Sequence, residues 1–188
     1  MTGFSRKEFS LRPMRESDLD QVRAWRNQPH IRRYMFTDHV IAPEEHRAWF
    51  ARVRDSAQDH YLIFECRGEP VGVVSFTQHS PQHQRADWGF YLGAEDLPKG
   101  MGRILGFCSM EHAFGTLGIR KLRGEVLAFN ARSLRLFLAL GFREEGRFIG
   151  EVRRGDDYHD VIRFALFAED WLKARERMES DLFGRGHS

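Results

Sequence analysis

Alternating or β-rich apolar runs occur in seven stretches of the chain, and each run predicts a β-strand. The stretches are residues 8–14, 61–66, 70–77, 84–92, 122–127, 142–152 and 158–167. Apolar positions recur at helical spacing in residues 18–27, 43–56, the segment after Gly100, 131–140 and 170–179. Strands and helices thus interleave, which predicts an α/β (α+β) fold with a mixed sheet and helices on its faces. This order excludes a TIM barrel and a helical bundle.

The length of the chain fits one domain. Its 188 residues leave no room for a second full core, and no linker, internal repeat or low-complexity tract interrupts it. We therefore expect a single domain over residues 1–188, in which residues 181–188 form a disordered tail.

Charge and cysteine usage exclude several classes of function. The 29 basic and 27 acidic residues give a net charge of +2, which argues against a protein that coats nucleic acid. Cys66 and Cys108 lack CxxC spacing, so we expect reduced thiols and no metal site. No apolar run approaches the roughly 18 residues that a membrane span needs, and the N-terminus lacks the apolar core of a signal peptide. We expect a cytoplasmic protein without membrane contact.

A glycine-containing motif stands between a predicted strand and the long helix that follows it. The motif is Lys99-Gly100-Met101-Gly102-Arg103-Ile104. Glycines let a ligand approach the backbone, and the free N–H groups of a first helical turn attract phosphate. The motif is neither a Walker loop nor GxGxxG, which favours a pyrophosphate cradle over a triphosphate or dinucleotide site. Glycines that only turn the chain are the alternative interpretation.

A second motif covers residues 126–142, where a strand ends and a helix begins. Asn130 stands at this junction, and its simplest role is an N-cap that accepts a hydrogen bond from an amide near Ser133. The two motifs together, in this order and spacing, carry more information than either alone.

In both motifs the chain resembles the GNAT family of acetyl-CoA-dependent N-acetyltransferases, from residue 8 to about residue 170. The resemblance implies a three-layer fold whose seven-stranded, mostly antiparallel sheet splays between its fourth and fifth strands. It also implies acetyl-CoA as cosubstrate and no metal. The cofactor contacts that it implies are Phe90, Leu92, Lys99, Gly100, Met101, Gly102, Arg103, Ile104, Asn130, Ser133 and Phe137.

The chain departs from the family pattern at two positions. Leu97 stands where Gln or Arg is usual, so one side-chain contact to the cofactor is expected to be lost. Phe137 stands where many members carry a Tyr that protonates the departing thiolate, and Phe cannot donate a proton. A thiol is a tolerable leaving group, so we expect a slower reaction in which Ser133 or a water supplies the proton.

Residues 25–36 and 41–50 combine Arg, Met and aromatic side chains, a mixture that suits a nucleotide. A core tryptophan with solvated arginines is the alternative. The segments WRN, IRRYMF and EEH, together with residues 72–77 and 88–92, are similar to sequences of one GNAT subgroup. That subgroup acetylates UDP-4-amino-4,6-dideoxy-N-acetyl-β-L-altrosamine in pseudaminic acid synthesis. This similarity implies a nucleotide-sugar substrate and a link to flagellin glycosylation. The substrate contacts expected from it are Arg26, Asn27, Arg32, Met35, Phe36, His46, Thr77 and Tyr91.

The expected chemistry is direct attack of a neutral amine on a thioester, because neither cysteine lies in a nucleophile setting. We expect a backbone N–H at Tyr91 or Leu92 to meet the oxyanion. Asp87 and Glu125 are the candidate proton acceptors, and His46 and His79 are weaker ones.

Other functions remain open at this point. A protein N-terminal acetyltransferase of the ribosomal-protein type shares Asn130, Ser133 and the run 158–162. A non-catalytic acetyl-CoA-binding module would account for Phe137. Splayed sheets with exposed edges often pair, so we also expect a homodimer.

Overall fold

The computed structural model describes residues 4–184, and its centre is one seven-stranded sheet. In chain order the strands are β1 (Phe9–Pro13), β2 (His60–Cys66), β3 (Glu69–Ser80), β4 (Arg85–Leu92), β5 (Lys121–Leu127), β6 (Arg143–Arg154) and β7 (Asp157–Phe167). Their spatial order is β1-β2-β3-β4-β5-β7-β6. Neighbouring strands are antiparallel except β4 and β5, which are parallel. The predicted mixed, mostly antiparallel sheet is confirmed.

The helices lie where the apolar spacing predicts them, except for an additional one-turn helix at residues 29–32, and the last helix follows β7. They are α1 (Leu19–Asn27), α2 (Pro29–Arg32), α3 (Pro43–Val53), α4 (Met101–Met110), α5 (Ala131–Ala139) and α6 (Ala168–Phe183). A π-helical segment, Glu111–Thr116, continues α4. Prolines stand in the first turns of α2 and α3, where a missing N–H costs nothing.

The C-terminal helix is longer than expected and corrects the predicted tail. Residues 181–183 belong to α6, because Leu182 and Phe183 pack against the core. The Phe183 ring lies 5.6 Å from that of Phe107. Residues 185–188 of the predicted tail lie outside the described residues.

Two apolar cores lie on opposite faces of the sheet. On one face α4, α5 and α6 cover strand residues that include Phe76, Trp88 and Phe164. On the other face α1, α2 and α3 pack on Ile63 and Val73. The predicted arrangement of three layers is confirmed. Within residues 4–184, no helix is long and apolar enough to cross a bilayer.

The sheet opens into a wedge between β4 and β5. Their ladder pairs only residues 85–87 with residues 121–123. Beyond this point β4 continues along β3 to Leu92, and β5 continues along β7 to Leu127. The predicted splay between the fourth and fifth strands is confirmed, and within residues 4–184 it leaves one edge of each strand without a strand partner.

The helix α1 docks over the far end of β4. Trp25 is buried there against Gly93, and a Cβ at Gly93 would overlap its indole ring. This close approach places the chain that follows α1 above the opening of the wedge.

Candidate functional site

The wedge holds a cleft of about 520 Å³, which we call the wedge cleft. Its walls come from the splayed ends of β4 and β5, the first turns of α4 and α5, and the segment after α2. Many of the residues singled out in the sequence meet here. They are Met35, Phe36, Thr77, Asp87, Phe90, Tyr91, Leu92, Gly102, Glu125, Asn130, Ser133 and Phe137.

The register of β4 decides which backbone amides face the wedge. The Gly93 N–H donates to the Val71 carbonyl at 3.0 Å, and Tyr91 lies opposite Val73 in the same antiparallel ladder. Alternate residues of a strand donate to the same side, so the Tyr91 N–H faces β3 and those of Phe90 and Leu92 face the wedge. Of the two amides expected to meet the oxyanion, that of Leu92 thus faces the wedge and that of Tyr91 does not, which corrects the expectation for Tyr91.

The first turn of α4 offers a backbone surface at the mouth of the cleft. Gly100 is the N-cap and has φ +96°, a conformation that favours glycine. The Gly102 N–H has no hydrogen-bond partner among the described residues. Met101 and Ile104 are buried in the core, and their N–H groups donate to the Pro98 and Gly100 carbonyls, so the free amide of this turn is that of Gly102. The arrangement fits an anion held by helix N-terminal amides.

Two side chains beside this turn are basic. Lys99 is exposed, and Arg103 is half-buried with no partner for its Nε among residues 4–184. Both stand within four residues of Gly100, so they add positive charge where a phosphate would lie.

The start of α5 forms the inner wall of the cleft. The Ser133 N–H donates to Asn130 Oδ1 at 3.1 Å, which confirms the N-cap role of Asn130. Ser133 and Phe137 stand one turn apart, and both line the cleft. Ser133 thus brings a hydroxyl group, which can donate a hydrogen bond, to the wall that α5 forms.

Phe137 lies in an aromatic cluster at the base of the wedge. It is 2% exposed, and its ring centroid lies 5.1 Å from that of Trp88, 4.8 Å from that of Phe142 and 5.2 Å from that of Phe164. The position is thus a packed apolar site without a proton to donate.

The two candidate proton acceptors both line the cleft and both accept from arginine. Arg123 Nε donates to Asp87 Oδ1 at 2.6 Å, and the Arg123 side chain is only 9% exposed. Arg163 donates to Glu125 Oε1, but Glu125 is more open, with 34% of its side chain exposed. Of the two carboxylates, Glu125 has the better access to water.

A second cavity of about 360 Å³, the side pocket, adjoins the wedge cleft. The same residues line both cavities where they meet: Met35, Tyr61, Ser75, Gly89, Phe90 and Tyr91. The His46 and Trp49 rings stack in this pocket with centroids 5.0 Å apart, and Tyr61 meets Trp49 edge-on at 4.8 Å. An aromatic wall thus faces a cavity that opens on the wedge.

Arg26, like Arg52, lines the side pocket. Arg26 is held in place by Thr37. Its Nη2 donates to the Thr37 carbonyl at 2.6 Å and to Thr37 Oγ1 at 2.9 Å. Its Nη1 is buried and has no partner among the described residues. Burial lowers the pKa of Arg26. Since no carboxylate among the described residues forms an ion pair with Arg26, its positive charge can attract an anion into the side pocket that it lines.

Burial also sets the protonation of two neighbouring groups. It lowers the pKa of His46 below the ordinary 6.5, which favours the neutral imidazole. It raises the pKa of the Tyr91 phenol above the ordinary 10.0. Tyr91 therefore keeps its hydroxyl proton, and its side chain is a donor rather than a base.

Two expected substrate contacts lie elsewhere. Asn27 donates from Nδ2 to the Ile41 carbonyl at 2.9 Å and accepts from the Ile41 N–H at 2.8 Å. Asn27 lines neither cavity, because its amide holds the segment before α3 in place. Arg32 also lines neither cavity.

The sequence did not single out several residues that line the site. Ser75 and Tyr61 alternate with core residues on β3 and β2, so their period-2 spacing contained the signal. Trp49 and Tyr34 lie in residues 41–50 and 25–36, and the composition of these two runs assigns neither residue a role. Within residues 4–184, no group of three or more His, Cys, Asp or Glu could hold a metal ion.

Comparisons with known proteins agree with this geometry. Residues 8–143 match the family model described as Acetyltransferase (GNAT) domain. Spermidine N(1)-acetyltransferase of Escherichia coli K12 is 26% identical over 168 residues, which cover 89% of this chain and 90% of that protein. Acetyltransferase PseH of Campylobacter jejuni 81-176 is 26% identical over 125 residues, 66% of this chain and 76% of that protein. The crystal structure of Vibrio cholerae spermidine N-acetyltransferase with CoA and spermine has a TM-score of 0.82 at 21% identity, covering 88% of this chain and 99% of that one.

Proposed function

This chain belongs to the GNAT acetyltransferase family, and we propose that its acceptor is the amine of a nucleotide-linked amino sugar. Its activity is acetyl-CoA-dependent N-acetyl transfer. The acceptor we propose is UDP-4-amino-4,6-dideoxy-N-acetyl-β-L-altrosamine, acetylated on its 4-amino group. This would link the enzyme to pseudaminic acid synthesis and flagellin glycosylation.

The observation that carries the proposal is the charge of the two cavities. Among their acidic lining residues, Asp87 and Glu125 pair with arginines, and Glu45 forms a hydrogen bond with His39. Arg26, in contrast, has a buried guanidinium nitrogen with no partner in the described chain. An unpaired cation next to an aromatic wall favours an acceptor that combines an anionic group with a planar base. A diphosphate-linked nucleoside has both.

The residues of this chain also account for cofactor binding. The Gly102 N–H and the positive end of α4 would hold the pyrophosphate, and the free amides of Phe90 and Leu92 would pair with the pantetheine arm or the thioester oxygen. When bound, acetyl-CoA supplies the activated acetyl group. The shared wall of the two cavities, at Gly89 and Tyr91, would bring the acceptor amine to that group.

Two further roles concern protons. We assign the proton lost by the amine to Glu125 through water, because Glu125 is the more open of the two carboxylates. Asp87 is the alternative acceptor. The Ser133 hydroxyl, one turn from Phe137, would donate a hydrogen bond to the departing thiolate.

Acetylation of spermidine is the second candidate, because the matches to spermidine acetyltransferases cover 89% of this chain. A polyamine carries several positive charges and needs carboxylates that are free to pair with them. Two of the three carboxylates that line the cavities in the described chain, Asp87 and Glu125, already pair with arginines. The charge of the site therefore favours the nucleotide sugar.

The experiment compares acceptors directly. Purified protein and acetyl-CoA are mixed with the UDP-4-amino-sugar, with spermidine or with N-terminal peptides at equal concentration, and thiol release and product mass are measured. We expect acetylation of the nucleotide sugar at a kcat/KM at least tenfold above that of the other acceptors, roughly 1.4 kcal/mol of discrimination. Preferred turnover of spermidine would overturn the proposal. Tight cofactor binding without turnover on any amine would instead support a non-catalytic module.

The compartment and the assembly state belong to the same proposal. Nucleotide sugars and acetyl-CoA would meet the enzyme in the cytoplasm, and a homodimer remains a prediction. Size-exclusion chromatography with light scattering measures the assembly state.

A further inference from the structure

Residues 33–38, which we call the bridging segment, cross the open end of the wedge. The segment follows α2, which is anchored on the β1–β4 half of the sheet through buried Ile31. It contributes Tyr34, Met35 and Phe36 to the wedge cleft, and Met35 also lines the side pocket. It therefore forms part of the wall where cofactor and acceptor must meet.

Arg154 holds this segment from the opposite half of the sheet. It stands at the end of β6, beside the turn into β7. Its Nη1 donates to the Arg33 carbonyl at 2.8 Å, and its Nη2 donates to the Met35 carbonyl. Asp38 Oδ2 lies 3.7 Å from the same Nη1. One guanidinium thus binds the segment at its beginning, middle and end.

Aromatic contacts support the same junction. The Arg154 guanidinium lies 5.5 Å from the centroid of the Phe129 ring, and Phe129 also contacts Tyr34 of the bridging segment, with centroids 6.0 Å apart. The Arg154 side chain is only 14% exposed. A guanidinium that is this well covered and fixed by two carbonyls holds its partners more rigidly than a solvated one.

The position of this contact in the sheet gives it its effect. The β4–β5 ladder joins the two halves at the closed end of the wedge, through residues 85–87 and 121–123. Arg154 ties them again at the open end. The width of the cleft at Met35 thus depends on a contact at the open end of the wedge that does not involve Gly102 of the cofactor cradle.

We propose that Arg154 is a positioning residue that determines acceptor specificity by fixing the bridging segment over the cleft. The proposal rests on the proposed function, since it assumes that the acceptor occupies the side pocket beside Met35. Arg154 lines neither cavity, and its two Nη atoms donate to the Arg33 and Met35 carbonyls, so it acts on the reactants through the bridging segment. Its removal should therefore weaken acceptor binding and leave the cofactor site intact.

The test compares Arg154→Ala and Arg154→Lys with Arg153→Ala, a matched control. Arg153 is the preceding residue, and its side chain is 63% exposed. Among the described residues, the polar contacts of this side chain are with its own turn, the Gly155 carbonyl at 2.8 Å and Asp156 at 3.6 Å. With acetyl-CoA and the UDP-4-amino-sugar, we expect Arg154→Ala to raise the acceptor KM about tenfold while the acetyl-CoA KM changes less than about twofold. Arg154→Lys should recover part of the loss, because one ammonium reaches one carbonyl but not both.

A second measurement does not depend on the acceptor. Amide hydrogen exchange of the peptide that covers residues 33–38 should become faster in Arg154→Ala and stay unchanged in Arg153→Ala. Unchanged exchange, or equal rises in the KM of acceptor and cofactor, would overturn the proposal. If spermidine proves to be the acceptor, the proposed function fails, and the same KM comparison with spermidine then decides the role of Arg154.

Discussion

The ring of Phe137 lies directly over Gly124, so closely that a Cβ at Gly124 would overlap it. Gly124 is the first residue of β5 beyond the paired part of the β4–β5 ladder. A side chain from α5 thus fills the point where the sheet begins to open. This contact fixes the inner end of the wedge cleft, which Phe137 lines.

Phe137→Tyr should therefore raise kcat. A phenol at this position could protonate the leaving thiolate, and we expect a gain of about tenfold, below the roughly 100-fold or more that is typical of general acids, because Ser133 or water already supplies part of this effect. The added hydroxyl enters an aromatic cluster and should lower the free energy of unfolding by about 1 kcal/mol. Steady-state kinetics and thermal unfolding measure the two effects. Phe137→Leu is the control, and an equal kcat in Phe137→Tyr and the unchanged protein would show that the thiolate leaves without this acid.

Ser133→Ala should lower kcat about tenfold without changing the acetyl-CoA KM. The helix cap survives the substitution, because the bond to Asn130 Oδ1 comes from the backbone N–H. Ser133→Thr keeps the hydroxyl and should retain most of the activity. Full activity in Ser133→Ala would remove the serine from the mechanism and leave water as the proton donor.

The two carboxylates of the cleft should respond differently to neutralisation. Glu125→Gln removes an open ion pair, so the free energy of unfolding should change by less than about 1 kcal/mol, while kcat falls and recovers at alkaline pH, where the amine is already neutral. Asp87→Asn leaves the buried Arg123 without its charged partner and should destabilise the protein by about 2 kcal/mol. Urea unfolding and pH–rate profiles measure both. A large activity loss confined to Asp87→Asn at unchanged stability would instead identify Asp87 as the proton acceptor.

Gly102→Ala tests the backbone cradle. A Cβ at position 102 meets only Leu136 Cδ2, at 3.6 Å, so the chain should fold normally. The methyl group covers the free N–H, and we expect the Kd of CoA to rise about tenfold with Tm unchanged. Calorimetry with CoA measures the binding. Unaltered affinity would mean that the pyrophosphate does not lie on this turn.

Stability should fall on mild acidification. Burial lowers the pKa of His46, His60 and His112 below the ordinary 6.5. The unfolded chain therefore binds more protons than the folded one as the pH drops through 6.5, so stability is full above about pH 7 and declines below it. The lowered carboxyl pKa values act only at more acidic pH. Thermal unfolding between about pH 8 and 5 should show this decline, and His60→Gln should reduce it.

Much of the fold could be predicted from the sequence, because strand alternation and helical spacing are local patterns. The seven strands follow from these local patterns. The place of the splay follows from the family resemblance. The end of α6 was missed, since the contact of Phe183 with Phe107 joins residues far apart in the chain. Local spacing carries no information about such a contact.

The site was predicted less completely, for a similar reason. The cradle at Gly100 and Gly102 and the cap at Asn130 depend on neighbours in sequence. The free amides of β4 depend on its register against β3, which separates the two expected oxyanion contacts: the Leu92 N–H faces the wedge and the Tyr91 N–H does not. The role of Asn27 depends on Ile41, and that of Arg154 on residues more than one hundred positions away.

The wall common to the wedge cleft and the side pocket has a consequence for inhibitor design. Because Gly89 and Tyr91 border both spaces, a single compound that tethers a uridine diphosphate to the sulfur of coenzyme A could fill both at once. Its second half would bind at the high effective concentration that a short tether gives. Such a bisubstrate compound should hold the enzyme more tightly than either half alone, and the tether length of best fit would report the distance between the two subsites.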